Sequence, residues 1–165
     1  MKSMFKNLAL FAVLAALLLP FSCKNENHIM EVKNEAVVRS ILAAMDAGAS
    51  KEFDQYLSVD FQIHNPFLPT PGNLETFKGL MQGQKAGFPD VRHEVVQLFS
   101  KGNLVCVRGL FKGTNTGAMQ GNPPTGNRVE IPFIFTDEFD ENGKVKVRHV
   151  QFDTGAFNAQ LTAAN

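Results

Sequence analysis

The hydrophobic period of this chain changes once, at Val91, from about 3.6 residues to about two, and that change divides it into a helical front and a sheet-forming back. Ahead of the switch, Glu31 to Ala47 carries Val37, Ile41, Ala44, Met45 and Gly48 at helical spacing, with Glu35 and Arg39 paired one turn apart. Ser50 is placed to cap a short second helix through Tyr56, and Val59 to Ile63 reads as a brief strand stopped by Asn65-Pro66. Pro69, Pro71 and Gly72 mark a loop. Asn73 then caps a third helix with Leu74, Phe77, Leu80 and Met81 on one face.

Behind the switch, Val91, His93 and Val95 alternate with Arg92, Glu94 and Val96, and Lys101-Gly102-Asn103 turns the chain into Leu104 to Lys112. The stretch from Gly113 to Asn127 is rich in Gly, Thr, Asn and Pro and reads as a long loop, its glycines at 113, 117, 121 and 126 serving turns. Val129, Ile131, Phe133 and Phe135 share one face of the next strand, and Asn142-Gly143 makes a tight turn into a last strand over Lys144 to Asp153. Helices first and long antiparallel strands afterwards predict an α+β fold.

The amino terminus has a different purpose. Lys2 and Lys6 precede Leu8 to Phe21, an uncharged apolar run that as a helix rises only about 21 Å, whereas a spanning helix needs roughly 20 residues. This is the layout of a signal peptide, residues 1–22. Leu18 to Cys23 (LLPFSC) resembles a lipobox, which makes Cys23 the expected lipidation site and the membrane partner a matter of that anchor. A polar tether, 23–30, then leads to a single domain, 31–165. The expected address is the bacterial cell envelope, and Lys24 in place of an aspartate favours the outer membrane of a Gram-negative cell. An ordinary secretory signal with an incidental cysteine is the alternative.

The chain has equal numbers of basic and acidic residues, and loss of residues 1–22 removes Lys2 and Lys6 but no acid, so the remainder is slightly acidic. That excludes a basic nucleic-acid surface. Of the two cysteines, Cys106 has no partner once Cys23 is lipidated, so burial must hold the domain together. No His or Cys cluster has metal-ligand spacing, and no glycine-rich loop opens a helix after a strand to hold phosphate. No metal or cofactor is expected.

Four segments carry a family resemblance: FPDVRHEVVQLF (88–99), VCVRGLFKGTNTG (105–117), NPPTGNRVEI (122–131) and QFDTGAFNAQL (151–161). In order and spacing they resemble the SnoaL-like polyketide cyclases and their ester-cyclase relatives, over roughly residues 31–162. The resemblance implies the nuclear transport factor two-like fold: a cone-shaped α+β barrel, three helices packed in a curved antiparallel sheet around a pocket. It also implies a small apolar ligand and a homodimer paired through the outer sheet face. In such relatives an aspartate at the place of Asp153 is the general acid and base, a role suited to a carboxylate whose pKa is raised by apolar surroundings. The alternative for Asp153 is a helix N-cap.

Phenylalanine is abundant, with one tyrosine and no tryptophan, so Phe111, Phe133 and Phe135 are expected to line the pocket or its core, with Phe152 beside them. His149, Gln151 and Asp153 fall on one face of the last strand by its period of two, which makes His149 and Gln151 pocket candidates. His149 and Asp153 lie roughly 13 Å apart at about 3.3 Å per residue, too far for a direct dyad. His93 and His64 are the candidate catalytic partners. Two departures from the family stand out: Asn115 where relatives often have histidine, and Arg148-His149 where they often have His-Trp. An isomerase site built on tyrosine is disfavoured, since Tyr56 is the only one. Two functions follow, an aspartate-dependent isomerase or cyclase acting on a small apolar carbonyl compound, and a noncatalytic envelope lipoprotein that binds an apolar ligand or a protein partner.

Overall fold

Val38, Ile41, Leu42 and Met45 recur every three or four residues and are all buried, which fixes the inward face of helix α1 (26–47). The computed structural model describes residues 26–119 and 121–164, so residues 1–22 and Cys23 lie outside the described part. Residues 26–30, assigned to the tether on sequence, are already helical. A 3-10 turn (Ser50–Glu52) leads into the short α2 (Phe53–Tyr56). Ser50 is not the expected cap: Ala49 holds that position without a side-chain bond, and the Ser50 hydroxyl accepts from Gln82 Nε2 at 3.1 Å. Asn73 does cap α3 (Leu74–Gly87), its side chain accepting from the Thr76 N–H, while Phe77 and Met81 are buried.

Five strands follow the expected order, β1 and β3 longer than read from the sequence and the last a residue shorter at each end: β1 (Leu57–His64), β2 (Arg92–Lys101), β3 (Leu104–Thr114), β4 (Arg128–Phe139) and β5 (Val145–Phe152). They form one sheet in the order β1-β5-β4-β3-β2. The sheet curves around the helices but is unclosed, so it has two edges where a full barrel would have none. It is also mixed: β2 to β5 run antiparallel, whereas β1 pairs with β5 in parallel, matching Ile63 with Arg148 and His64 with His149. Helix α4 (Thr154–Leu161) folds back over β4, where the Gln160 side chain accepts from the Glu130 N–H.

Strand β4 buries Val129, Ile131, Phe133, Phe135, Asp137 and Phe139, a strict alternation that places its inner face against the helices. On β5 the alternation is interrupted. Phe139 pairs with Val145 but Glu138 pairs with Val147, so the register shifts around Lys146. Beyond this irregularity Arg148, Val150 and Phe152 face inward, while His149 and Gln151 face out.

The long loop after β3 is stapled down by Asn115, which is only 2 % exposed. Its amide donates to the carbonyls of Gly87 and Gly117 at 3.0 Å each, and its Oδ1 accepts from the Thr125 N–H at 2.8 Å. The residue that departs from a family histidine therefore has a structural job. Gly117 passes so close to Ala86 that a Cβ there would meet its carbonyl oxygen at 1.9 Å.

Candidate functional site

Between the inner sheet face, α1, α3 and α4 lies a cavity of about 290 Å³. Its walls are mostly apolar, and phenylalanine is the commonest residue in them. Phe111, Phe133 and Phe135 line it as expected, joined by Phe77 and Phe88 from α3 and its end, and by Phe157 from α4. Most of their contacts are edge to face or tilted, for example Phe88 and Phe111 at 5.2 Å between centroids, while Phe133 and Phe135 lie nearly parallel at 5.8 Å. Polar side chains are few, chiefly His93, Gln84, Arg148, Asn65 and Thr76.

His93 sits on β2 with Val95, two residues after the buried Val91 and on the face read from the sequence as inward, and its side chain is 6 % exposed. Its Nδ1 lies 2.7 Å from Asp46 Oδ1, and its backbone N–H donates to the same carboxylate at 3.0 Å. Asp46 is near the end of α1, and the Lys85 ammonium fixes that end by donating to the Asp46 carbonyl at 2.6 Å and the Pro89 carbonyl at 2.8 Å. An ionised carboxylate only accepts, so Nδ1 carries the ring proton and Nε2 is the basic nitrogen. Nε2 has no hydrogen-bond partner among the described residues, and the ring stands edge-on to Phe111 and Phe133 in the cavity wall. Nothing in the sequence near Asp46 signals this role, because the contact joins α1 to β2 across the fold.

Arg148 reaches the cavity from β5. Its Nε and Nη2 donate to Asp137 Oδ1 and Oδ2 at 2.7 and 2.5 Å, and among the described residues the sole hydrogen-bond partner of Nη1 is the Met45 sulfur, at 3.7 Å. The guanidinium carbon lies 4.2 Å from the Phe135 ring centroid. Burial pushes the Asp137 carboxyl above the ordinary aspartate value, while the charge and hydrogen bonds of Arg148 pull it down. The pair puts a cationic N–H edge into an apolar chamber without a net charge.

The other candidates lie elsewhere. Asp153 is exposed, and its carboxylate accepts from the Ala156 N–H at 2.9 Å as the N-cap of α4, so the apolar setting foreseen for an acid–base carboxylate is absent there. His64 and His149 stack on each other with centroids 4.1 Å apart, and neither lines the cavity. Gln151 is exposed on the outer face. The site thus brings His93 together with Phe111, Phe133 and Phe135, and leaves out Asp153, His64, His149 and Gln151. The described residues hold no group of three potential metal ligands, and no described helix is long and apolar enough to cross a membrane.

Solved structures share this architecture. IdmH from Streptomyces antibioticus is 24 % identical with a TM-score of 0.67, covering 78 % of this chain and 97 % of its own. TsrD from Streptomyces laurentii is 20 % identical with a TM-score of 0.70, covering 81 % and 97 %. A SnoaL-like polyketide cyclase from Agrobacterium tumefaciens is 21 % identical with a TM-score of 0.61, covering 76 % and 94 %. At these identities the likeness is one of fold, and a search of the curated proteins found no significant match. The family model of the SnoaL-like polyketide cyclases matches residues 35–161, nearly the whole described domain, and the chain belongs to that family.

Proposed function

We propose that the domain binds a small, mostly apolar ring ketone and moves a proton next to its carbonyl, as an isomerase or cyclase. The observation that carries this reading is the Asp46–His93 pair, which holds the imidazole in one tautomer at the wall of a phenylalanine-rich cavity. A base in such a place contributes about 10²–10⁴-fold to proton transfer. Arg148 Nη1 is the complementary donor for a carbonyl oxygen gaining negative charge. Family membership supports a cyclase or isomerase in general, while the choice of His93 over Asp153 rests on the geometry.

The test is deuterium uptake at the carbon next to the carbonyl of 1-tetralone and 2-tetralone, followed by NMR with purified protein. Wild type should exchange at least one of them about 10²-fold or more faster than His93→Gln. Asp153→Asn should match wild type. Equal rates for wild type and His93→Gln would remove His93 from the chemistry.

A second reading, noncatalytic binding of an apolar ligand, is favoured by the use of Asp153 as an exposed cap. It predicts tetralone binding without exchange by any variant. In either case we propose that the protein is held at the bacterial envelope through lipid on Cys23. Cys23→Ser should then move it out of the membrane fraction, and unchanged membrane association would exclude the anchor.

A further inference from the structure

Five of the nine large apolar side chains left exposed among the described residues fall at one end of the domain. Ile29, Met30 and Val32 lie in the first turns of α1, and Phe99 and Leu104 flank the turn between β2 and β3. Two hydrogen bonds tie these groups together. The Gly102 N–H donates to Glu31 Oε1 at 2.8 Å, and the Ser100 hydroxyl donates to Glu35 Oε1 at 2.6 Å. Both carboxylates are thereby drawn to the turn, and the beginning of α1 is pinned to the sheet. On the side of the helix away from the buried Val38, Ile41 and Met45, helical spacing sets Ile29, Val32 and Ala36 in one stripe, bordered by Lys33 and Arg39. Glu26 is the only other acid in these turns. Single exposed apolar residues need no explanation, but a cluster of them edged by basic side chains is an interaction surface of the kind that meets lipid.

We infer that this end of the domain lies against the membrane that holds the protein, with Ile29 and Val32 entering the boundary between lipid head groups and acyl chains. The inference rests on the proposed lipid at Cys23. Cys23 stands three residues before Glu26, and three residues span at most about 11 Å, so a lipid in the bilayer keeps the start of α1 at the surface. The anchor makes the second contact intramolecular, and a patch too small to hold a free protein suffices there. Lys33 and Arg39 can lay their stems along the apolar stripe and put their charges among lipid phosphates. The other end of the domain then points away from the membrane. Gln160 on α4 bonds to Glu130, eight residues along β4 from Glu138, the partner of Leu104, which is about 26 Å at about 3.3 Å per residue.

The chain has no tryptophan, so a single introduced one reports its own surroundings. Full-length protein carrying Ile29→Trp, Val32→Trp or Ala159→Trp is produced in bacteria, extracted from their membranes and reconstituted into vesicles of phosphatidylethanolamine and phosphatidylglycerol, with or without bromine on the acyl chains. All three positions are exposed, so thermal midpoints should match wild type. All three variants should float with the vesicles. The brominated chains should quench Ile29→Trp and Val32→Trp about twofold or more and leave Ala159→Trp, on α4, nearly unchanged. Flotation with no quenching at either α1 position, or with equal quenching at all three, overturns the docking and leaves the anchor standing. Emission from Val32→Trp that is shifted to the blue but unquenched places a second protein copy on this face, and also overturns the docking. Protein that does not float has no anchor, which overturns both.

Discussion

Arg148 and Asp137 stand directly opposite each other on β5 and β4 and join through two parallel hydrogen bonds, at 1 % and 0 % side-chain exposure. A pair like this is costly to break from one side only. Arg148→Met leaves a carboxylate buried without its cation and should lower stability by about 3–5 kcal/mol. The double change Arg148→Met with Asp137→Leu should recover most of that loss, since an apolar pair of similar volume needs no compensation. Urea unfolding of the two variants decides it; equal loss in both would mean that packing and not charge is at stake.

Asp153 should behave as a cap. Asp153→Ala removes the acceptor for the Ala156 N–H and should cost about 1 kcal/mol, whereas Asp153→Asn, which caps equally well, should cost a few tenths at most. Neither should change deuterium uptake by the tetralones. A stable Asp153→Asn protein that has lost exchange would restore the carboxylate to the chemistry.

Asp90 ties the end of the FPD segment to the sheet, accepting from the Thr114 N–H at 2.7 Å and its hydroxyl at 2.8 Å. These bonds, with the Thr114 N–H foremost, hold its carboxyl below the ordinary 3.8. A lowered folded-state pKa means that the unfolded chain takes up the proton first. The contribution is therefore complete above about pH 4 and is lost as pH falls through the lowered value. Asp90→Ala should cost about 1 kcal/mol at neutral pH, modest because solvent reaches the site, and the gap from wild type should close in acid. Urea midpoints measured from pH 7 down to pH 3 give the comparison, and a gap that widens in acid would contradict it.

Gly109 leaves room for the edge of the Phe133 ring against β3. A Cβ there would meet Phe133 Cζ at 2.5 Å and the Glu94 carbonyl oxygen at 2.6 Å. Gly109→Ala should therefore cost about 1–3 kcal/mol by overpacking. It should also shift the ring that faces His93, lowering tetralone exchange along with the thermal midpoint. Exchange that is unaffected in a destabilised variant would show that the ring's position does not matter to the base.

Much of this architecture was legible in the residues. The period switch at Val91, the cap at Asn73 and the Asn142-Gly143 turn place most elements within a few residues, and the inward set Val129, Ile131, Phe133 and Phe135 is correct. The site was legible in part. His93 follows from strand parity, but Asp46 does not, because nothing local distinguishes a carboxylate on α1 that meets a strand 47 residues later. His149 and Gln151 share the face of Asp153, and that face points outward: beyond the register shift near Lys146, Arg148 and Val150 line the cavity in their place. The apparent departure from the family at Arg148 is thus a pocket residue.

The parallel pairing of β1 with β5 also has a consequence for how the molecule comes into being. Ile63 can meet its partner Arg148 only once β5 has been made, so β1 docks onto the sheet through the final hairpin. Contacts between such distant segments form late and slowly, because a long loop must close before they give anything back. A chain shortened before β5 would retain α1, α3 and the paired strands β2, β3 and β4, yet would have neither the Arg148 wall nor a docked first strand. The chamber takes part of its wall from β5 and α4, so a growing chain presents no finished binding site until those two elements have been made.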